Sequence, residues 1–375
     1  MRSTLSADRE RFGREWPRDW AEHLRSEHGF DLSTSLLGMP LPHPIGKASG
    51  QLSLKSEQLQ HDTDAGLAFA VLKTVIGEDA AGDRSMGAWA IHETRMAVER
   101  RDAPDGRRGW TVTWKGRGWD GTLAEYCALV EAGRQFTRDG RLLVLPSVKL
   151  HLPPQEAAFR ETEYAHTLGA LRAAWGVEPL LLEHDFSPTL AGDARGQSRE
   201  DVIRWTSELP GLIRRHAGGP VRVALKLMNA TFDDAFQADL LRAAAGADAV
   251  TVFNRLWDEQ RRVAFGGWDL SDRNLRVLAS VGRAGMERSG TGNVTTGRQV
   301  VAYARTGCST VQCHTAFQLP LGEYAADAGS RTARTLHQLV FDPADGLLAV
   351  MLEEQEEGRL HRQGGELRFR DLVSA

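Results

Sequence analysis

Eight short apolar runs recur along this 375-residue chain, at 44–50, 67–74, 142–148, 179–184, 221–227, 248–253, 284–289 and 309–313. Amphipathic stretches that read as helices separate most of them, at 57–65, 154–174, 199–216, 234–245, 272–281 and 298–305. A short strand that is apolar on both faces must be covered on both. Helices between successive strands supply that cover when the strands are parallel and the crossovers right-handed. Roughly eight such units select an α/β fold of the (β/α)8 TIM-barrel type over an open doubly wound sheet. A Rossmann reading would also want its G-x-G-x-x-G after the first strand, whereas the glycine-rich turn here follows the seventh.

That turn reads Ser289-Gly290-Thr291-Gly292-Asn293-Val294-Thr295-Thr296-Gly297, and the next strand closes on Val311-Gln312-Cys313-His314-Thr315. Both breaks let backbone N–H groups face one point, which suits a phosphate. The last two strand-to-helix loops of a barrel are where phosphate is commonly held.

Barrel chemistry sits at the C-terminal strand ends, and those residues can be named. They are Ala48, Ser49 and Gly50; Lys73 and Thr74; Lys149; His184, Asp185 and Ser187; Lys226; Asn254; Gly290 and Gly292; and His314 with Thr315. The set is rich in lysines, hydroxyls and amides and poor in metal ligands. A metallohydrolase barrel wants His-x-His on strand one, where this chain has Gly46-Lys47-Ala48, so no metal is expected. Lys226 closes an apolar strand, where a charge is costly unless it is used. It could form a Schiff base with a carbonyl substrate or stand as a fixed cation beside an electron-rich cofactor. Lys73 repeats the arrangement on strand two. A long anionic cofactor, with phosphate at strands seven and eight and a polar ring over strands one to five, reaches both lysines. Flavin mononucleotide (FMN) has that shape.

The ordered set of motifs resembles the dihydroorotate dehydrogenases and their flavin-barrel relatives over residues 34–340. Pro44-Ile45-Gly46-Lys47-Ala48-Ser49-Gly50 is similar to the family's N-P-x-x-x-A-S/A-G, Lys73-Thr74 to its K-S/T pair, Lys226 to its strand-five lysine and Asn254 to the asparagine ending strand six. Phe265-Gly266-Gly267 resembles its G-G, and Gly290 to Gly297 its G-x-G-G-I-x-x-G. The resemblance implies bound FMN. Ala48, Ser49 and Gly50 would line one flavin face, Thr74 and Lys226 would contact the ring's polar edge, and Lys73 and Asn254 would be further cofactor-binding residues. Backbone at Gly267, Gly290, Gly292, His314 and Thr315 would hold the phosphate, with Gly266 and Thr291 also counted as cofactor-binding. It also implies an oxidoreductase passing hydride between flavin N5 and a carbon of a carbonyl-conjugated small molecule, across a C–C bond. The loop after strand four departs from the family's N-x-S-C/S-P-N. It reads Asp185-Phe186-Ser187-Pro188-Thr189, one residue shorter, so dihydroorotate is not the expected substrate and the proton carrier is sought among Ser187, Asp185 and His184. A Schiff-base lyase or aldolase acting through Lys226 on a phosphorylated substrate is the competing expectation, and a non-catalytic flavin-binding protein a third.

Composition narrows the remaining classes. A net charge of −4 gives no global attraction to nucleic acid. Three cysteines, none in a C-x-x-C pattern, fit reduced thiols in a cytoplasmic protein. No apolar run approaches the ~20 residues of a membrane span, and the first residues lack a signal-peptide apolar core. Phe12, Trp16, Trp20 and Leu24 form a stripe on an N-terminal helix expected to pack on the body. The expected organisation is a helical extension over 1–33, a barrel over 34–345 and a charged, peripheral tail over 346–375. An arginine- and tryptophan-rich insertion at about 91–123 reads equally as a pocket wall or as a solvated hairpin. A small-molecule substrate is expected, with a homodimer as one assembly open to the chain.

Overall fold

The computed structural model describes residues 2–89, 95–103, 105–107, 109–115, 118–154, 157–186, 198–230, 232–258, 263–265, 267–283 and 285–374. Ten short strands form one all-parallel, curled sheet: β1 (Ile45–Lys47), β2 (Phe69–Val71), β3 (Val75–Ile76), β4 (Leu143–Leu145), β5 (Ser147–Lys149), β6 (Leu180–Asp185), β7 (Val221–Lys226), β8 (Ala249–Val252), β9 (Glu287–Thr291) and β10 (Thr310–Cys313). Their order is β3-β5-β6-β7-β8-β9-β10-β1-β2-β4. The end members of this order are chain continuations of interior ones. β3 follows β2 after Leu72, Lys73 and Thr74, and β5 follows β4 across Pro146, which cannot donate to a ladder. Val71 pairs with Leu145 and Val75 with Val148, so both halves of the broken strand 69–76 face the broken strand 143–149.

Helices cover the outer face, as both-sided burial of parallel strands requires. They are α1 (Arg2–Arg14), α2 (Trp20–His28), α3 (Ser56–Asp64), α4 (Leu123–Arg138), α5 (Glu161–Trp175), α6 (Arg199–His216), α7 (Asp234–Ala243), α8 (Trp268–Val281), α9 (Gly297–Arg305), α10 (Arg331–Phe341), α11 (Leu347–Glu356) and α12 (Phe369–Ser374). The sequence reading assigns no helix between the second and third apolar runs, yet α4 fills that place. Its signal was present: Thr122 and Glu125 form a capping box, with the Thr122 hydroxyl accepting from Glu125 N–H at 3.1 Å and Glu125 accepting from Thr122 N–H at 2.8 Å. Thr122→Ala is expected to lower stability by about 1 kcal/mol, read as a shift in the urea midpoint at constant slope.

Three further expectations are corrected. The N-terminal aromatic stripe is carried by two helices, because Pro17 has no N–H and disfavours helical backbone in the residue before it. Phe12, Trp20 and Leu24 are buried, and Trp16 meets His337 and Phe341 edge-on at 6.0 and 6.2 Å, so the stripe packs on the body as expected. The helix expected from 154 begins only at Glu161. The Pro153 carbonyl is taken by Trp205 Nε1 at 2.7 Å and Arg204 Nη2 at 3.0 Å, which fixes that segment against α6. The C-terminal segment is not peripheral: Leu360, Leu367, Phe369 and Leu372 are buried, and Leu367–Arg368 pairs in parallel with Phe30–Asp31. Residues 34–41 form a hairpin, with Leu37 (φ 51°) and Gly38 (φ 68°) at its turn. Among the described residues no helix is long and apolar enough to cross a membrane.

The arginine-rich insertion is an antiparallel hairpin, Arg95–Arg100 with Trp110–Lys115. It lies on the side of the C-terminal strand ends. Trp119 N–H reaches Thr74 O at 2.6 Å beside β3, and Arg255, just past β8, reaches Val112 O at 3.4 Å. Trp110 is buried with Leu319 and Tyr324 in a small apolar cluster beyond β10. Arg100 and Arg107 point to solvent in ion pairs with Asp102, and with Asp105 and Asp272. For these two arginines the solvated reading holds.

Candidate functional site

Side chains alternate across a strand, so β6 sends Glu183 and Asp185 to one face and His184 to the other. Contacts identify the faces. Glu183 Oε2 accepts from Gln312 Nε2 on β10 at 2.6 Å and from Thr251 Oγ1 on β8 at 3.0 Å. Neither strand is a ladder neighbour of β6, so these groups meet across the concave interior. Gln312 also donates to Thr251 Oγ1 at 3.0 Å, closing a three-residue ring, and all three residues are buried. Lys226 Nζ stands 4.0 Å from Glu183 Oε1, an oxygen with no hydrogen bond. Burial pushes the Glu183 carboxyl above the usual carboxylate range, and the Lys226 charge is the largest influence pulling it back.

One layer nearer the mouth lies a second network. Thr74 Oγ1 donates to Asp185 Oδ2 at 3.2 Å and lies 3.0 Å from both Ser49 Oγ and Ser147 Oγ. Asp185 Oδ1 accepts from Asn254 Nδ2 at 3.4 Å, while Arg255 N–H at 2.9 Å from Asn254 Oδ1 fixes which way that amide points. Lys149 Nζ donates to the Asp185 carbonyl at 2.8 Å. Asp185 and Lys226 are paired in register on adjacent strands, so a half-buried carboxylate and a buried ammonium end neighbouring strands together. Such a constellation can hold a planar polar group and move a proton through Asp185.

The glycine turn closes the other side. A Cβ on Gly290 would lie 2.5 Å from the Tyr303 ring, so this glycine lets α9 lie close on β9. Gly292 has φ 95°, a left-handed conformation that a side chain would strain. The Thr291 carbonyl accepts from Tyr303 OH at 2.7 Å and Asn274 Nδ2 at 2.9 Å, and the Gly292 carbonyl from Tyr303 OH at 3.1 Å. In a trans peptide the N–H points opposite to the C=O, so the N–H groups of Gly292 and Asn293 point away from the helix layer. The start of α9 is occupied by protein groups, since Gln299 Oε1 accepts from Thr295 N–H at 2.7 Å and Thr296 N–H at 3.2 Å, and Asp345 O accepts from Arg298 N–H at 2.8 Å. Any anion here would therefore be held by the turn and not by the helix end. Gly267 opens α8, whose Ser271 hydroxyl accepts from Asn293 Nδ2 at 3.3 Å, beside the same turn. Asn293 Oδ1 is buried without a hydrogen bond.

His314 leads into the short 3-10 turn Thr315–Gln318, and its Nε2 lies 3.0 Å from Gln51 Oε1. A Cβ on Gly50 would come within 2.4 Å of the same ring, so glycine there admits His314. Burial holds this imidazole well below its ordinary pKa, and the charges of Arg255, Lys226, Lys73 and Lys47 push it further down. Of these cations Lys226 ends β7, Lys73 and Arg255 follow β2 and β8, and Lys47 on β1 is paired with Asp62.

Of the expected site residues, Ser49, Thr74, Asp185, Lys226 and Asn254 form one connected mouth. Lys73 adds charge from its rim and is 7% exposed. Gly50, Gly267, Gly290, Thr291, Gly292, His314 and Thr315 lie around the β9 and β10 ends, and Ala48 contributes backbone, its N–H bonded to Cys313 O at 2.9 Å. His184 does not join them. It faces outward, accepts Leu150 N–H at Nε2 at 3.2 Å and meets Phe186 edge-on at 4.8 Å. Burial and then the Lys149 charge hold it well below its ordinary pKa; its outward direction and its bond from Leu150 N–H set it apart from the expected proton carrier Asp185. Ser187 and Gly266 lie outside the described residues. Sequence reasoning missed Glu183, Thr251 and Gln312. A charged residue two places before Asp185 in Leu180-Leu181-Leu182-Glu183-His184-Asp185 was the available signal, since period two puts both carboxylates on one face.

Neither a scan of family models nor a search of curated proteins finds a match to this chain.

Proposed function

We propose that this chain is a closed (β/α)8 barrel working as an FMN-dependent oxidoreductase on a small carbonyl-conjugated molecule. Counting the broken strands 69–76 and 143–149 as one strand each gives eight. The Val71–Leu145 and Val75–Val148 pairings then join the ends of the sheet. The observation that carries the functional reading is that Asp185 and Lys226 end adjacent strands in register, with Thr74 and Asn254 on the Asp185 carboxylate and Lys73 and Arg255 close enough to His314 to act on its charge. A cationic mouth with N–H groups at Gly292 and Asn293 turned away from the helix layer suits a long anion with phosphate at one end and a polar ring at the other.

When bound, FMN would supply hydride exchange between its N5 and a substrate carbon. Gly292 and Asn293 would bind the phosphate through their N–H groups, with His314 and Thr315 alongside. Lys226 would place its charge against the ring's polar edge, backed by Glu183. Asp185, oriented by Thr74 and Asn254, would hold or release the proton at its carboxylate. Ser187 remains a second proton carrier in this proposal. Equilibrating the purified full chain with excess FMN, then removing free flavin, is expected to leave about one equivalent bound, with a flavin spectrum in the visible. A protein that stays colourless and leaves FMN fluorescence unchanged on titration would sink the proposal. Borohydride trapping of a carbonyl substrate on Lys226 would favour the Schiff-base alternative.

A further inference from the structure

Far from the strand mouth, Asp8 on α1 meets His23 and His28 on α2. Asp8 Oδ2 lies 2.7 Å from Nε2 of both histidines. One donor atom from each of the three residues lies within 4.8 Å of the others. The imidazoles are turned 71° to each other with centroids 5.8 Å apart, so their Nε2 atoms approach one point from different directions. The rings are set by packing: Phe12 holds His23 edge-on at 5.2 Å, and the His28 side chain is only 6% exposed. His23, at 26%, leaves one side open to solvent.

We propose that Asp8, His23 and His28 form a zinc site that fastens α1 to α2. Two imidazole nitrogens and a carboxylate oxygen suit zinc better than magnesium or calcium, and a water would fill the fourth tetrahedral position. Bonds of 2.0–2.2 Å to a tetrahedral ion need donor atoms roughly 3.4 Å apart. The N···O separations of 2.7 Å would therefore widen by about 0.7 Å, within reach of side-chain adjustment. Zinc would take the Nε2 positions that now face Asp8 Oδ2, and because its ligands bind it deprotonated, acid weakens binding. Arg11 opposes a cation, lying 2.7 Å from Asp8 Oδ1 and 3.3 Å from His23 Nε2. Its side chain is 58% exposed and lies 4.7 Å over the Phe12 ring, so swinging outward costs that contact. The sequence reading expects no metal; these three ligands are separated by 15 and 5 positions and match no familiar spacing.

The test is zinc chloride titrated into the metal-stripped full chain against a fluorescent zinc chelator, with cobalt(II) absorption as a second readout. One equivalent of zinc is expected to bind, and bound cobalt is expected to show tetrahedral bands without a thiolate charge-transfer band. Even an outer-sphere partner of a metal site is worth about 10- to 100-fold in affinity, so His28→Ala should lose at least ~100-fold. Arg11→Gln, at an exposed position, should bind zinc more tightly than the parent. Zinc binding no tighter than about 100 μM, or equal affinity in the His23→Ala/His28→Ala chain, overturns the site. So does an Arg11→Gln chain that gains no affinity. Circular dichroism of the metal-free variants separates loss of ligands from loss of fold.

Discussion

Glu183→Ala is expected to destabilise the protein by about 3–5 kcal/mol, the range for removing one partner of a buried charged pair. The carboxyl is fully buried and serves three groups: Lys226 Nζ at 4.0 Å, Gln312 Nε2 at 2.6 Å and Thr251 Oγ1 at 3.0 Å. Alanine leaves an ammonium, an amide and a hydroxyl without that partner in an interior that water does not reach. Urea unfolding at neutral pH measures the loss. The sign of the pH dependence is a second readout. Burial raises the folded carboxyl's pKa above its unfolded value of about 4.3, so the folded state binds the extra proton. This group's contribution therefore declines as pH rises from there toward the folded pKa, a downward slope that Glu183→Ala should remove. A stability loss below about 1 kcal/mol would mean the interior re-forms without Glu183.

Lys226→Ala is expected to weaken FMN uptake by about 10- to 100-fold, because a hydrogen bond to a charged group contributes roughly 1.5–3 kcal/mol. This prediction belongs to the proposed function. Lys226 is 3% exposed and ends β7 in register with Asp185, so its charge has few places to go except the mouth and Glu183. Lys226→Arg keeps the charge and should retain most of the affinity. In the Ala variant the Glu183 carboxyl loses its nearest cation, so stability must be measured beside affinity. An FMN affinity equal in wild type and Lys226→Ala, in protein shown to be folded, removes Lys226 from the site.

The eight apolar runs were legible because buried parallel strands leave no polar alternation to confuse them, and all eight positions carry strands. Helix ends were less legible. α5 starts late because α6 side chains take the Pro153 carbonyl, a contact between segments about 50 residues apart. α4 carried a local capping signal and could have been read. At the site, Lys226, Thr74, Asp185 and Asn254 were legible as strand ends. His184 stood in the same run, and only its outward direction and its bond from Leu150 N–H separate it from Asp185. The glycine turn was read as an open phosphate cradle, yet Gln299 and Asp345 take N–H groups at the helix start and Tyr303 explains Gly290.

By itself, the sequence determined the strand-and-helix rhythm, the places where strands stop and the residue types at those stops, because period, apolarity and turn chemistry are local properties. Tertiary structure decided which of those residues meet. Glu183 finds Gln312 from 129 positions away, and Asp8 finds His23 and His28 across the turn that Pro17 imposes. Burial then sets their charge, since the cost of an ion depends on what surrounds it and not on its neighbours in the chain.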